Sequence, residues 1–395
     1  MVAVAHSAPV ASEKPLTERW LDLSKVSSSF RYRQAFNEGS AKIFDDGQQQ
    51  MVLINRFKLD RNERYTINLR ASSGGYFNWS YADVAGMGFG ERQHKGLTKS
   101  SYNTAQAAER KAAGPADPAG LLILTTVVPT GWHFLVRELY FSATPVRAVT
   151  VEFGSLGLER GYSSEITSFD DDGWVSGERF RIKDPKHLFF NEIGFTNAYF
   201  GNISTPNFFD RGSDLTSSNY RQIFGKKQLN KYLAFSVDYT YLAGTDTVRE
   251  AVAVDTRATK VIDKINFEAY QRLNTVNLQG LDVQGGSGFA VTAEKKITDR
   301  LTGGLGFADV DSDYSVYTGH RVQHAVGMSM NGDSYGQGKR PFMHASYKLN
   351  PVVTAFGFYT HALYDNQALT LNQQNLNAGL TFDLKALANT GKRIF

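Results

Sequence analysis

Four groupings in this 395-residue sequence bring together side chains suited to chemistry. Asp170-Asp171-Asp172-Gly173 clusters hard oxygen ligands of the kind Ca²⁺ takes. It lacks the spaced Asp positions and terminal Glu of an EF-hand loop, and reads better as a solvated acidic loop. His320 and His324 stand four apart, but Arg321 occupies the place of the Glu in a metalloprotease H-E-x-x-H. The other histidines, His6, His94, His133, His187, His344 and His361, mark no pairing with a Ser nucleophile. Neither a G-x-S-x-G elbow nor a phosphate-binding glycine loop is present. Zero cysteines exclude disulfides, thiol catalysis, Cys-ligated zinc and iron–sulfur clusters. The expectation is a non-enzyme with no metal and no cofactor.

The fourth grouping is a series of basic residues set at alternate positions: Arg31, Arg33, Arg56, Lys58, Arg64, Arg70, Arg137, Arg179, Arg181, Lys183, Arg272 and Lys348. Guanidinium is a planar donor fork that suits carboxylates and phosphates. Acids of the same parity are fewer: Glu152, Asp238, Glu268, Glu294 and Asp383. The chemistry implied is recognition of anionic or polyhydroxylated solutes, if these side chains share one wet face. The opposing reading is a set of ordinary solvated residues paired with those acids.

Strand periodicity supplies such a face. Leu376, Ala378, Leu380, Phe382 and Leu384 alternate with Asn375, Asn377, Gly379, Thr381 and Asp383. Successive strand side chains point to opposite faces, so one face is apolar and the other polar. Tyr65, Ile67, Leu69 and Ala71 alternate likewise with Arg64, Thr66, Asn68 and Arg70, and Leu233, Phe235, Val237, Tyr239 and Tyr241 with Ala234, Ser236, Asp238 and Thr240. Further runs lie around 265–272, 301–307 and 343–348. Several reach about 10 residues, the length of a tilted membrane-crossing strand rather than the 5–6 usual in globular sheets.

Composition agrees. The chain has 36 Gly, 27 Phe, 19 Tyr and only 10 Pro, with 42% hydrophobic residues. A mean hydropathy of −0.34 fits strands that alternate lipid-facing with lumen-facing residues. No window approaches the run of about 18 apolar residues needed for a membrane helix. A net charge of +4 is too small to argue for nucleic acid.

The pattern predicts an all-β, transmembrane antiparallel up-and-down barrel of about 16 strands, with 14–18 accommodated. The expected strands are 26–36, 49–59, 64–81, 132–144, 148–160, 178–183, 187–200, 231–243, 248–257, 261–273, 276–283, 287–297, 301–312, 339–349, 352–364 and 373–384. Tight connections then all follow even-numbered strands, including Gly244–Thr247 and Asn274–Thr275. The long ones, 82–131, 161–177, 201–230 and 313–338, all follow odd-numbered ones. Outer-membrane barrels sort short periplasmic turns from long outer loops in this way. Aromatic groups at Tyr76–Tyr81, Trp132, Phe134, Phe356, Phe358 and Tyr359 suit the girdles of such a barrel. The parts are an N-terminal segment 1–25, with Met1–Ser12 read as a signal remnant or a flexible terminus, the barrel 26–384 and a tail 385–395 ending in Phe395. Part of 82–131 is expected either to enter the lumen as a gate or to form an outer loop.

The stretch from Arg137 to Ile182 resembles the alginate-export-like outer-membrane porins. Arg137-Glu138-Leu139-Tyr140-Phe141 stands for that family's R-x-x-Y-L, followed by Val151-Glu152-Phe153-Gly154 and by Phe169-Asp170-Asp171-Asp172-Gly173 ahead of a basic strand with Arg179 and Arg181. Phe30-Arg31-Tyr32-Arg33-Gln34 adds a weaker likeness. Gly154-Ser155-Leu156 replaces the family's G-R-Q, and the missing Arg bears on the substrate. The resemblance implies an outer-membrane barrel that passes solutes, in that family an anionic polysaccharide. The expected function is therefore a bacterial outer-membrane porin for small hydrophilic solutes, with outer-membrane lipid and the barrel-assembly machinery as partners and monomer or trimer left open. A closed barrel serving as scaffold, adhesin or membrane hydrolase, and a polysaccharide exporter, are the alternatives.

Overall fold

The computed structural model describes residues 21–36, 42–60, 62–78, 133–164, 166–168, 174–184, 186–199, 208–211, 218–242, 245–274, 276–278, 281–283, 286–310, 338–361, 363, 374–384 and 386–387. The side chains of 21–50, 72–78 and 276–283 lie outside that description. So do the expected gate in 82–131, the acidic run 170–173, His320 and His324.

The strands are β1 (Leu21–Phe36), β2 (Lys42–Lys58), β3 (Tyr65–Asn78), β4 (His133–Val146), β5 (Val149–Gly157), β6 (Trp174–Lys183), β7 (Glu192–Tyr199), β8 (Tyr220–Gln228) and β9 (Leu233–Leu242). They continue with β10 (Thr245–Asp255), β11 (Lys264–Arg272), β12 (Val276–Leu278), β13 (Leu281–Val283), β14 (Ser287–Lys296), β15 (Leu301–Val310), β16 (Gly338–Lys348), β17 (Val353–His361) and β18 (Gln374–Asp383). Sixteen of them form one barrel in which each strand pairs antiparallel with its chain neighbour and β18 returns to β1. Only β12 and β13 stand apart, as a hairpin in the connection from β11 to β14.

The expected number of barrel strands holds through two errors that cancel. Residues 276–283, read as a wall strand, are the β12–β13 hairpin. Residues 220–228, read as loop, are wall strand β8. In β8 neither parity is uniformly apolar: Tyr220, Gln222, Phe224 and Lys226 face in, while Arg221, Ile223 and Gly225 belong to the other parity. The period-2 signal vanishes there because the inward face is itself partly apolar. Restoring β8 moves Gly244 and Asn274 to the long-connection end of the barrel, so tight turns are not confined to the other end. β6 also begins at Trp174 rather than 178, and β7 at Glu192 rather than 187.

Alternation elsewhere is as expected. In β9 the even positions are buried against the barrel interior and the odd ones are not. The outer face is apolar across neighbouring strands: Ile67, Phe141 and Phe153 lie side by side, as do Phe180, Phe195, Ile223 and Tyr239. Phe153 is 49% exposed and Leu305 65%, far more open than core residues of a water-soluble sheet. Towards the long-connection end that face turns polar, where Asn197 Nδ2 donates to Glu178 Oε1 at 3.1 Å beside Arg221. Phe356 and Phe358, expected in an outer girdle, belong instead to the inward parity, opposite Ser346 and His344. Phe358 packs on the buried Phe342 with ring centroids 6.0 Å apart. His361 shares the outward parity of Tyr359.

The interior carries an apolar cluster of its own, which includes Leu156, Ile166, Val175, Ala198, Tyr220 and Leu242. Small residues make room for it. Gly154, Gly177 and Ala198 lie side by side on the inner wall between Tyr140 and Tyr220. A Cβ on Gly177 would overlap the Asn197 carbonyl and the Ala198 backbone. Gly177→Val is accordingly expected to cost about 1–3 kcal/mol by overpacking. The check is the temperature at which the folded barrel loses its heat-modifiable gel mobility, which falls in the variant.

Candidate functional site

The inner wall presents continuous polar rows because hydrogen-bonded partners on adjacent strands share a face. One row runs Thr66, Ser142, Glu152, Arg179, Thr196, Gln222, Thr240, Thr247 and Arg272, from β3 to β11. The next row towards the opposite end includes Arg181, Asp238 and Arg249. Within these rows Glu152 stands beside Arg179 and Asp238 beside Arg249, so opposite charges neutralise each other locally. Arg179 lies 3.4 Å from Glu152 and 3.7 Å from Glu159, and its Nε donates to Thr196 Oγ1 at 2.9 Å. Arg181 reaches Glu159 at 2.5 Å, Glu192 at 3.2 Å and Glu152 at 3.3 Å. Arg249, fully buried, donates to Asp238 Oδ1 at 2.6 Å and Thr240 Oγ1 at 3.0 Å.

The described part of the connection between β5 and β6 lies inside the barrel. Its described residues, 158–164 and 166–168, turn inward and dock on the inner faces of β8, β9 and β11. The chain meets the wall at Gly161, whose φ of +62° is left-handed and where a Cβ would collide with Ser236 Oγ. Glycine alone satisfies both demands. Tyr162 N then donates to Ser236 Oγ at 2.8 Å, and Asn266 Nδ2 donates to Tyr162 O at 3.3 Å. Glu268, fully buried on β11, accepts from the Ser164 backbone N–H, from the Ser164 hydroxyl and, at 2.7 Å, from Thr167 Oγ1. Ile166 completes the fixation by entering the apolar cluster, 1% exposed.

The near end of this segment is held by charge. Glu159 receives Lys226 Nζ at 2.9 Å in addition to Arg181, and its carbonyl accepts from Gln222 Nε2 at 2.9 Å. Burial works to raise the Glu159 carboxyl, but Arg179, Arg181 and Lys226 outweigh it and hold the group at about 2. Together these contacts fix a strap of chain across part of the barrel interior, which narrows the lumen where the paired charges lie.

The twelve basic residues singled out in the sequence meet different fates. Arg179 and Arg181 are brought together, with Lys183 3.6 Å from Glu192 beside them. Arg70 pairs with Glu138 at 3.3 Å, and Lys58 with Glu63 at 2.7 Å. Arg137 is the extra residue of a bulge in β4, between Val136 and Glu138, and is buried. Arg272 is buried on the Arg179 row. Arg56, opposite Asn68, and the turn-end residues Arg64 and Lys348 form no ion pair among the described residues. Arg31 and Arg33 lie on β1 opposite Gly379 and Asn377, their side chains outside the description.

The sequence reading missed Glu138, Glu159, Glu192, Lys226 and Arg249. Glu159 stood at the end of the expected strand 148–160, Glu192 inside the expected strand 187–200 without being singled out, and Lys226 in the overlooked β8. A local signal did exist: Glu159-Arg160-Gly161 joins a charge pair to a glycine directly after a strand.

No protein-family model matches the chain, and no curated protein does. Solved structures do. A Salmonella typhi OmpF in complex with daunomycin shares 10% identity at a TM-score of 0.52, covering 93% of this chain and 99% of that one. Two further matches score lower. An engineered protein of asymmetric conductivity has TM-score 0.48, 10% identity, and covers 92% of this chain and 100% of that one. A mutant of the Rh. blastica porin has TM-score 0.47, 10% identity, and covers 92% and 99%. The OmpF likeness establishes the fold as that of a porin barrel. The alginate-export part of the resemblance is not carried by these structures.

Two tests follow for the strap. Glu268→Ala leaves the Ser164 and Thr167 donors without their acceptor, a loss of about 1–3 kcal/mol; single-channel recordings should show a larger or noisier open state than wild type. Because the folded Glu159 carboxyl lies below its ordinary value of 4.5, its stabilisation is complete above about 4.5 and is lost as pH falls towards 2. Conductance should change in that acid window in the wild type, and the Glu159→Gln variant should lack that transition.

Proposed function

We propose that the chain is a passive channel of the bacterial outer membrane for small hydrophilic solutes. The observation that carries this reading is a closed sixteen-strand barrel with an apolar outer face and a charged interior that the β5–β6 connection narrows. Only closed barrels and helices satisfy every backbone group within lipid, and an apolar outer band is what the bilayer then requires. Ion-paired polar walls around a strap are suited to passing hydrated solutes without binding them tightly.

A mild preference for anions or carbohydrate-like solutes is the finer part of the proposal. It rests on Arg56, Arg64 and Lys348, which have no carboxylate within reach among the described residues. Rings of Arg and Lys favour anions in pores. The paired Arg179 and Arg181 supply local field and shape rather than net charge, so the preference is weaker than twelve free cations would give.

Reversal potentials across a planar bilayer under a salt gradient test both parts. The wild type should conduct, with a permeability ratio above one for anions. Arg56→Gln with Arg64→Gln should bring that ratio towards one while conductance persists. A barrel that inserts but carries no current overturns the channel reading.

A further inference from the structure

At the short-turn end of the outer wall, one patch combines aromatic rings with cations that have no acid. Phe189 and Phe190, in the β6–β7 connection, lie edge to face at 5.1 Å, and both meet Phe235 of β9, at 6.2 and 5.9 Å. Phe189 is 67% exposed. Lys227 is opposite Phe235 in the β8–β9 register, hence on the same face, and its Nζ sits 5.3 Å above the Phe189 ring. In the next turn Lys231 Nζ sits 4.6 Å above Tyr232. The contrast with Lys295, on the outward parity of β14 at the same end, is informative. Lys295 is tied to Asp263 at 3.3 Å and to the Lys260 carbonyl. Lys227 and Lys231 form no ion pair among the described residues and are held by rings alone.

We infer that Lys227 and Lys231, with Phe189, Phe190 and Phe235, form a seat for an anionic glycerophospholipid in the leaflet at the short-turn end. Charge complementarity identifies the occupant: two ammonium groups suit a phosphodiester, while the three phenylalanine rings beside Lys227 offer an apolar surface to the first methylenes of an acyl chain. A ring face holds an ammonium in place without neutralising it, so the cation stays available to a headgroup. Aromatic residues belong at this level of a membrane barrel, but rings alone would not discriminate between headgroups. The inference relies on the outer-membrane reading only for the bilayer around the barrel, not for conduction.

Native mass spectrometry of the full chain, released from mixed micelles of detergent with phosphatidylglycerol or phosphatidylcholine, tests it. Wild type should retain phosphatidylglycerol in preference to phosphatidylcholine, by about 30-fold if each lysine contributes as a basic residue near an anionic surface does. Lys227→Gln with Lys231→Gln should retain the two lipids alike, and Lys296→Gln, which removes a lysine paired with Asp299 at 2.7 Å, should behave as wild type. Equal retention by wild type, unaltered preference in the double variant, or displacement of the lipid by millimolar inorganic phosphate overturns the proposal. Should the double variant fail to fold, Phe189→Ala and the wild-type comparison still decide. Planar-bilayer conductance is read separately, so a barrel that holds the lipid but passes no current refutes the channel and leaves the seat intact.

Discussion

Everything in this protein depends on the pairing of β1 with β18, from Ser27 against Asp383 to Phe36 against Gln374. An open sheet of this size would present two rows of unsatisfied backbone groups, which neither lipid nor a soluble monomer tolerates well. Closure removes both edges. It also separates two solvents: side chains of one parity meet whatever surrounds the barrel, and those of the other meet its contents. The apolar outer row of Phe180, Phe195 and Ile223 and the inner row of Arg179, Thr196 and Gln222 are two faces of the same three strands.

Closure makes an interior, and the interior then has to be organised. A lumen wide enough for sixteen strands cannot be filled by wall side chains alone, as the smallest barrels are. Here the described part of the β5–β6 connection enters it, and four contacts hold it there: a glycine that lets the backbone touch Ser236, an ionic anchor at Glu159, Glu268 accepting from Ser164 and Thr167, and Ile166 in the apolar cluster. Each fails under different conditions. The ionic anchor responds to acid, the hydrogen bonds to substitution of a single carboxylate, and Ile166 to neither. A strap fixed in this redundant way keeps some of its anchors when one is lost, which a single tether would not.

Much of the fold was legible because alternation is local. β9, β15 and β18 announce themselves in about ten residues each, and nothing distant is needed to read them. β8 was not legible for the reason that makes it interesting: Tyr220 and Phe224 face inward, so its apolar residues straddle both parities. The same applies to Phe356 and Phe358, which looked like a rim girdle and are interior packing against Phe342. Both departures arise where the interior is occupied rather than wet, and an alternation rule assumes that the lumen is water throughout. The inward cations Arg179 and Arg181 were found by parity. Their neutralisation was not, because Glu159 follows the end of β5 and Glu192 opens β7, and only the folded chain brings them beside these cations.

That neutralisation changes what charge in the sequence means. A count of inward cations suggests a strongly attractive path for anions, but Arg181 is shared among Glu152, Glu159 and Glu192, and Arg249 is given over to Asp238. Buried charges of this kind persist because each satisfies the other, and what they contribute to the lumen is a transverse field from closely spaced opposite signs. Under the proposed channel reading, selectivity falls to inward cations that form no ion pair among the described residues. Arg56, Arg64 and Lys348 lie on the inward side or at the turn end, where a solute meets them. Lys227, over the Phe189 ring, lies on the outer face instead, where the proposed bilayer would meet it. The fate of a basic residue in this barrel is therefore set less by its sequence neighbourhood than by whether the folded wall places a carboxylate, a ring or open solvent beside it.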